Sequence, residues 1–169
     1  FWVTAGLSTV GMLIATLVML DSIWFFFAGL VGILTSVAFV YITQYYTAGS
    51  WRPVRDIAEA SKTGPATNII AGVAVGFETT AAPILVISAA LGASFVLGRE
   101  GAEALNIVTD NPMAGGIFGT AVATMGMLMS AGYILAMDTF GPITDNAGGI
   151  TQFSGADEEA RAITDGLDA

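Results

Sequence analysis

The sequence predicts an all-α protein, a polytopic bundle of membrane-spanning helices. Three observations point there. Of 169 residues, 54% are hydrophobic and 11% charged, about half the charge share usual in soluble domains. The mean hydropathy is +0.75. The apolar residues are also gathered into four long blocks, each near or above the roughly 20 residues an α-helix needs to cross the hydrocarbon core. Four such helices in one short soluble domain would be out of proportion, since buried soluble helices are usually shorter.

The blocks follow in order. The first covers residues 1–20 and breaks at Asp21-Ser22; the second covers 23–45. A polar loop over 46–65 carries Arg52, Arg55 and Lys62. The third block covers 66–97 and the fourth 113–137, with a loop between them that mixes Arg99 with Glu100 and Glu103. An acidic segment, 138–169, closes the chain. Basic residues mark cytoplasmic loops, so 46–65 is expected in the cytoplasm. Two crossings later, 138–169 is expected on that same side. Phe1 and the closing "TDGLDA" suit an internal segment of a longer protein, with no signal peptide ahead of the first block.

Blocks three and four have inward-facing character. "GVAVG" places Gly72 and Gly76 one turn apart, and "GGIFG" does the same with Gly115 and Gly119. Small residues at this spacing let membrane helices approach closely. Glu78, in "GFETTAAP", is expected some three turns into block three. A carboxylate at the centre of a membrane helix costs at least about 2.5 kcal/mol unless paired or hydrated. It reads either as the partner of a basic residue on a neighbouring helix or as the lining of an ion pathway.

The chain has no Cys and no His, and its net charge is −9. Disulfides, thiolate metal sites and imidazole chemistry are excluded, and nucleic acid or anionic lipid is disfavoured as a partner. What is left for chemistry is carboxylate, amide, hydroxyl and backbone oxygen, which suits Mg²⁺ or Ca²⁺. The densest stretch of such groups is "MDTFGPITDNAGGI", 137–150. The fourth helix is expected to end near Asp138, where Gly141-Pro142 breaks regular geometry. Were the helix to persist, Asp138 and Asp145 would share a face two turns apart. Asp165 and Asp168 would likewise share a face further on. An oxygen-lined divalent-cation site and a solvated acidic helix end both fit this pattern.

Longer strings separate the two. "YYTAGSWRPVRDIAEASKTGPATNIIAGVAVGFETTAAPILVI" and "DTFGPITDNAGGITQFSGADEEARAITDGLDA" resemble the signature regions of the membrane-bound, ion-translocating inorganic pyrophosphatases. The similarity runs from about Tyr41 to Ala169, interrupted over 98–112. The resemblance implies four consecutive helices of a homodimeric pump with about sixteen per subunit. Such a pump lies in the cell inner membrane of a prokaryote and couples hydrolysis of magnesium pyrophosphate to transport of H⁺ or Na⁺.

By the same resemblance Asp145 is the "DNAGG" aspartate that ligates Mg²⁺. Asn146, Asp165 and Asp168 are weaker metal candidates, and Glu78 is a candidate for the ion pathway or for helix pairing. No catalytic residue is assigned within this segment, which is expected to be inactive alone. Gln44, in "TQYYT", departs from the acidic residue of the family pattern, so no ionic role is assigned to it. Whether K⁺ joins Mg²⁺ as a cofactor, and which cation is pumped, depend on positions outside these residues. A rival reading is a segment of a secondary transporter or channel without hydrolytic activity, supported by Glu78 and the glycine-rich helices.

Overall fold

The structure is a computed structural model that describes residues 1–107, 111 and 113–167. Among these residues there are eight helices and no strand. Four helical stretches are long and apolar enough to cross a membrane. The first is α1 (Trp2–Leu20), which ends on Asp21 in the left-handed conformation (φ 47°), one that a short polar side chain tolerates. That turn lets α2 (Ile23–Thr47) run back along α1.

A polar corner then leads into α3 (Arg52–Ser61) and α4 (Pro65–Glu78), which lie side by side as a hairpin. Gly64 makes the turn at φ 125°, a conformation that only glycine adopts without strain. The chain continues through α5 (Ala81–Ala104), α6 (Ala114–Leu128), α7 (Ala131–Phe153) and α8 (Glu158–Leu167).

The centre of the bundle is the mutual packing of α2, α5 and α6, with α1 laid against α2. Lipid tails are as apolar as leucine, so burial alone drives little helix association in a membrane, and close van der Waals approach must supply it. Here the backbones nearly touch. A Cβ on Gly98 of α5 would stand 2.6 Å from the Cα of Gly119 on α6. One on Gly32 of α2 would stand 2.7 Å from the Ala123 carbonyl carbon, and Gly126 faces Gly29 in the same way. Phe25 is 2% exposed at the far end of this contact, edge-on to Phe118 at 5.0 Å and covered by Gly101. The expected close approach at Gly115 and Gly119 is therefore present. At Gly72 and Gly76 it is not, since nothing described lies within 4 Å of where their side chains would stand.

Two apolar blocks differ from the sequence expectation. Block three is divided at Thr79-Thr80 into α4 and α5. Pro83 explains this, because it has no N–H to return to the Thr79 carbonyl. Block four is divided at Met129-Ser130 and then continues as an unbroken α7 to Phe153. The expected end near Asp138 does not occur, and Pro142 lies inside the helix. Pro142 has no N–H to return to the Asp138 carbonyl, and the helix runs through it with that one backbone hydrogen bond missing. Thr144 Oγ1 donates to the Gly141 carbonyl at 2.8 Å, and Asn146 Nδ2 donates to the Pro142 carbonyl at 2.6 Å.

Replacing Gly119 with Leu should break the α5–α6 contact, because its Cβ would drive into the Gly98 backbone. Overpacking of this kind costs about 1–3 kcal/mol. The full-length protein carrying Gly119→Leu should lose its folded state at a lower temperature in a solubilised heat-challenge assay. Unchanged heat resistance would mean that this contact is dispensable.

Candidate functional site

Helix α7 presents the candidate residues. Its lower end begins beside α2: Asp138 lines the same cavity, of about 730 Å³, as Gln44 and Thr47 of α2 and the buried Ser36. Asp138 and the polar end of α2 thus share one end of the bundle. From Asp138 the helix continues for four more turns, carrying Asp145 and Asn146. Asp138 and Asp145 are seven residues apart on an intact helix, hence on one face and separated by about 10 Å along the axis. Ligands of one Mg²⁺ each lie about 2.1 Å from the ion, so these two carboxylates belong to different sites.

Asp145 is exposed and makes no hydrogen bond or ion pair among the described residues. Asn146 is exposed too, and its amide nitrogen is committed to the Pro142 carbonyl, which leaves its oxygen Oδ1 as an acceptor. Gly148 and Gly149 have open space where side chains would stand. The helix closes on Gly155 (φ 68°), where the Ala156 N–H returns to Thr151 O at 3.2 Å and the Gly155 N–H to Gln152 O at 3.3 Å, a Schellman motif. Asp157 then caps α8, its Oδ1 accepting from the Ala160 N–H at 2.9 Å.

On α8, Asp165 faces Arg161 one turn back, with 3.7 Å between Oδ2 and Nε. Asp168 lies outside the described residues. No group of three acidic side chains that could enclose a metal occurs among the described residues. Among the described residues Asp145 therefore stands as a single hard-oxygen donor, of a type that suits Mg²⁺.

Glu78 stands within the third apolar block, at the point where α4 ends. It is the last residue of α4, level with the start of α3, and its Oε1 takes a hydrogen-bonded ion pair from Arg52 Nη2 at 2.7 Å. Tyr46 Oη donates to the same carboxylate at 3.5 Å, and Arg52 also approaches Asp56 at 3.5 Å. Tyr45 stacks on Trp51 with 5.4 Å between ring centres. A side-chain hydrogen bond with Tyr45, joined by the Glu78 carboxylate, raises the Arg52 pKa above its ordinary value. Of the two readings of Glu78, helix pairing is the one with a partner.

Arg52 as that partner was not legible in sequence, since 26 residues separate the two and only the hairpin of α3 and α4 brings them together. The break that ends α4 at Glu78 did have a signal, in Pro83.

The family described as Inorganic H+ pyrophosphatase matches the chain over residues 1–169. The chain belongs to the H⁺ pyrophosphatase family. It is 58% identical over 147 residues to K(+)-insensitive pyrophosphate-energized proton pump 2 of Moorella thermoacetica, a match covering 87% of this chain and 20% of that protein. It is 57% identical over 145 residues to pyrophosphate-energized membrane proton pump 3 of Arabidopsis thaliana, covering 86% of this chain and 18% of the relative. A K(+)-insensitive pyrophosphate-energized proton pump of Caldanaerobacter subterraneus is 54% identical over 138 residues, covering 82% and 18%. The chain thus spans about a fifth of the length of the curated relatives it matches.

The Arg52–Glu78 pair gives a charge-reversal test. Arg52→Glu and Glu78→Arg, each alone, set like charges face to face and should lower the yield of folded full-length protein. The double reversal should recover a large part of that loss. Two single variants that behave like the parent would leave the pair without a structural role.

Proposed function

We propose that this chain is the part of a membrane pyrophosphatase that presents one Mg²⁺ ligand, Asp145, to magnesium pyrophosphate, in a pump that couples hydrolysis of the bound pyrophosphate to H⁺ transport. The observation that carries the reading is the unpaired Asp145 carboxylate on α7, standing beyond the apolar bundle inside "DNAGG". Membership of the family and relatives named as pyrophosphate-energized proton pumps support it. Bound Mg²⁺ would neutralise the pyrophosphate charge and ease attack by water.

The residues of this chain then have separate tasks. Asp145 holds a metal oxygen site about 10 Å along the helix from Asp138. Asn146, with its nitrogen tied back to Pro142, offers Oδ1 toward the same solution. Gly148 and Gly149 leave the helix surface bare for a close neighbour. Two of the three relatives above are named K(+)-insensitive, so Mg²⁺ without K⁺ is the cofactor requirement we assign. The homodimer and the prokaryotic inner membrane belong to the same reading and rest on the family resemblance. The rival transporter or channel drew on Glu78 as a membrane-buried charge, and the Arg52 ion pair at the polar corner removes that support.

Sidedness follows from Arg52, Arg55 and Lys62, which assign the α3 end of the bundle to the cytoplasm. Asp138 shares a cavity with the end of α2, so Asp145 is assigned to that face as well. Single cysteines introduced at Ser50 and Ser154 should both react with an impermeant thiol reagent only from the cytoplasmic face. Labelling of the two from opposite faces would require an odd number of crossings between them.

Asp145→Asn in the full-length protein retains size and removes charge. Hydrolysis should fall at least about 100-fold, the upper range for loss of metal-site support, while membrane insertion is kept. H⁺ transport should fall with it, and replacing K⁺ by choline should leave the parent activity unchanged. Ordinary hydrolysis and an ordinary Mg²⁺ requirement in Asp145→Asn would return this stretch to a solvated acidic helix.

A further inference from the structure

Helices α6 and α7 together form a rod of 40 residues, Ala114–Phe153, yet the two halves are held very differently. The lower half, α6, is clamped by glycine contacts to α2 and α5. Among the described residues, the upper half, α7, meets the other three spans mainly at its base. The division falls at Met129-Ser130, where the Met129 N–H bonds three residues back to Gly126 O at 3.3 Å and the helix resumes with the Ile134 N–H on Ser130 O at 3.1 Å. Serine and glycine mark sites of helix bending, and Gly132 stands two residues beyond Ser130.

At that joint stands one polar tie between distant helices. Ser130 Oγ and Ser36 Oγ of α2 are 2.8 Å apart, and both residues are 5% exposed. The tie sits just above the Gly29–Gly126 contact, where α2 and α6 are closest. We propose that the Ser36–Ser130 hydrogen bond is the pivot that sets the direction of α7, making both serines positioning residues for Asp145. This rests on the reading of Asp145 as a Mg²⁺ ligand.

Lever arithmetic shows why such a pivot matters. Asp145 lies fifteen residues beyond Ser130, about 22 Å along the axis. A tilt of about 3° at the joint moves its carboxylate by about 1 Å, twice the tolerance of about 0.5 Å that a functional site allows. Neither serine touches metal or substrate. Their effect reaches the site only through the turns of α7, which stays helical past Pro142.

Positioning and plain stability are separable here. Removing one hydroxyl leaves the other buried and unpaired, which is costly, whereas removing both is close to neutral. Ser36→Ala, Ser130→Ala and the double variant should therefore be compared in the full-length protein in its membrane. Heat resistance should fall in each single variant and recover in the double. The Mg²⁺ concentration for half-maximal pyrophosphate hydrolysis should instead rise about 10-fold in all three, with the maximal rate at saturating Mg²⁺ kept.

A Mg²⁺ requirement that recovers in the double variant along with heat resistance, or that never changes, overturns the proposal. A second measurement needs no hydrolysis: spin labels on cysteines at Thr43 of α2 and Ile143 of α7 should give a broader distance distribution in Ser130→Ala than in the parent. An unchanged distribution also overturns the pivot. Absence of hydrolysis in the parent itself would instead count against the pyrophosphatase reading, and the label distances would still decide the pivot.

Discussion

Close backbone approach among α2, α5 and α6 is the constraint on which the rest of this structure depends. In water, burial of the many Leu, Ile, Val and Phe side chains would drive these helices together. In lipid it does not, because the surroundings are equally apolar. Contact has to come from surfaces that fit, and Gly29, Gly32, Gly98, Gly119 and Gly126 provide them by omitting side chains where backbones meet. The large apolar residues mostly point the other way. Leu7, Val18 and Met19 of α1 and Leu85 of α5 are exposed along the bundle, as suits residues facing lipid or further helices.

From this clamp the chain rises at one end in two pieces that, among the described residues, meet the central helices through polar ties. One is the α3–α4 hairpin, whose return end is fastened by Arg52, Glu78 and Tyr46. The other is α7, fastened at its base by the two serine hydroxyls. Both pieces begin or end at a break in a long apolar run, Thr79-Thr80 in one and Met129-Ser130 in the other. In both, the direction of a helix is set by directional polar contacts rather than by area. The two ties differ in kind. The ion pair is half-exposed and open to screening, whereas the hydroxyl pair is buried and leaves an orphaned group if either half is lost.

The proposed Mg²⁺ chemistry rests on one carboxylate, Asp145, that has no partner among the described residues. An Asp paired to a neighbouring cation, like Asp165 with Arg161, is already satisfied and has less to gain from a metal. Asp145 has no such partner among the described residues. A charged acceptor held clear of the apolar bundle, on a helix whose proline has been accommodated, is available to a hard cation that arrives with its own phosphate oxygens.

Much of this was readable before any coordinates. The fold class came from four apolar blocks whose lengths match a bilayer, and the expectation of oxygen ligation from an acidic chain without Cys or His. The "DNAGG" stretch singled out Asp145 by resemblance. These features are local or compositional, and a linear pattern carries them fully.

Three things were settled only in three dimensions. Gly141-Pro142 was expected to break the helix near Asp138, but α7 runs on through Pro142 with one backbone hydrogen bond missing and carries Asp138 and Asp145 on one face. Glu78 carried two readings, the lining of an ion pathway or the partner of a basic residue, and the hairpin at Gly64 brings it to Arg52. Of two similar glycine pairs, Gly115 and Gly119 meet a neighbour while Gly72 and Gly76 do not. Each outcome depends on which groups from distant parts of the chain arrive at the same place, and periodicity along one helix holds no record of that.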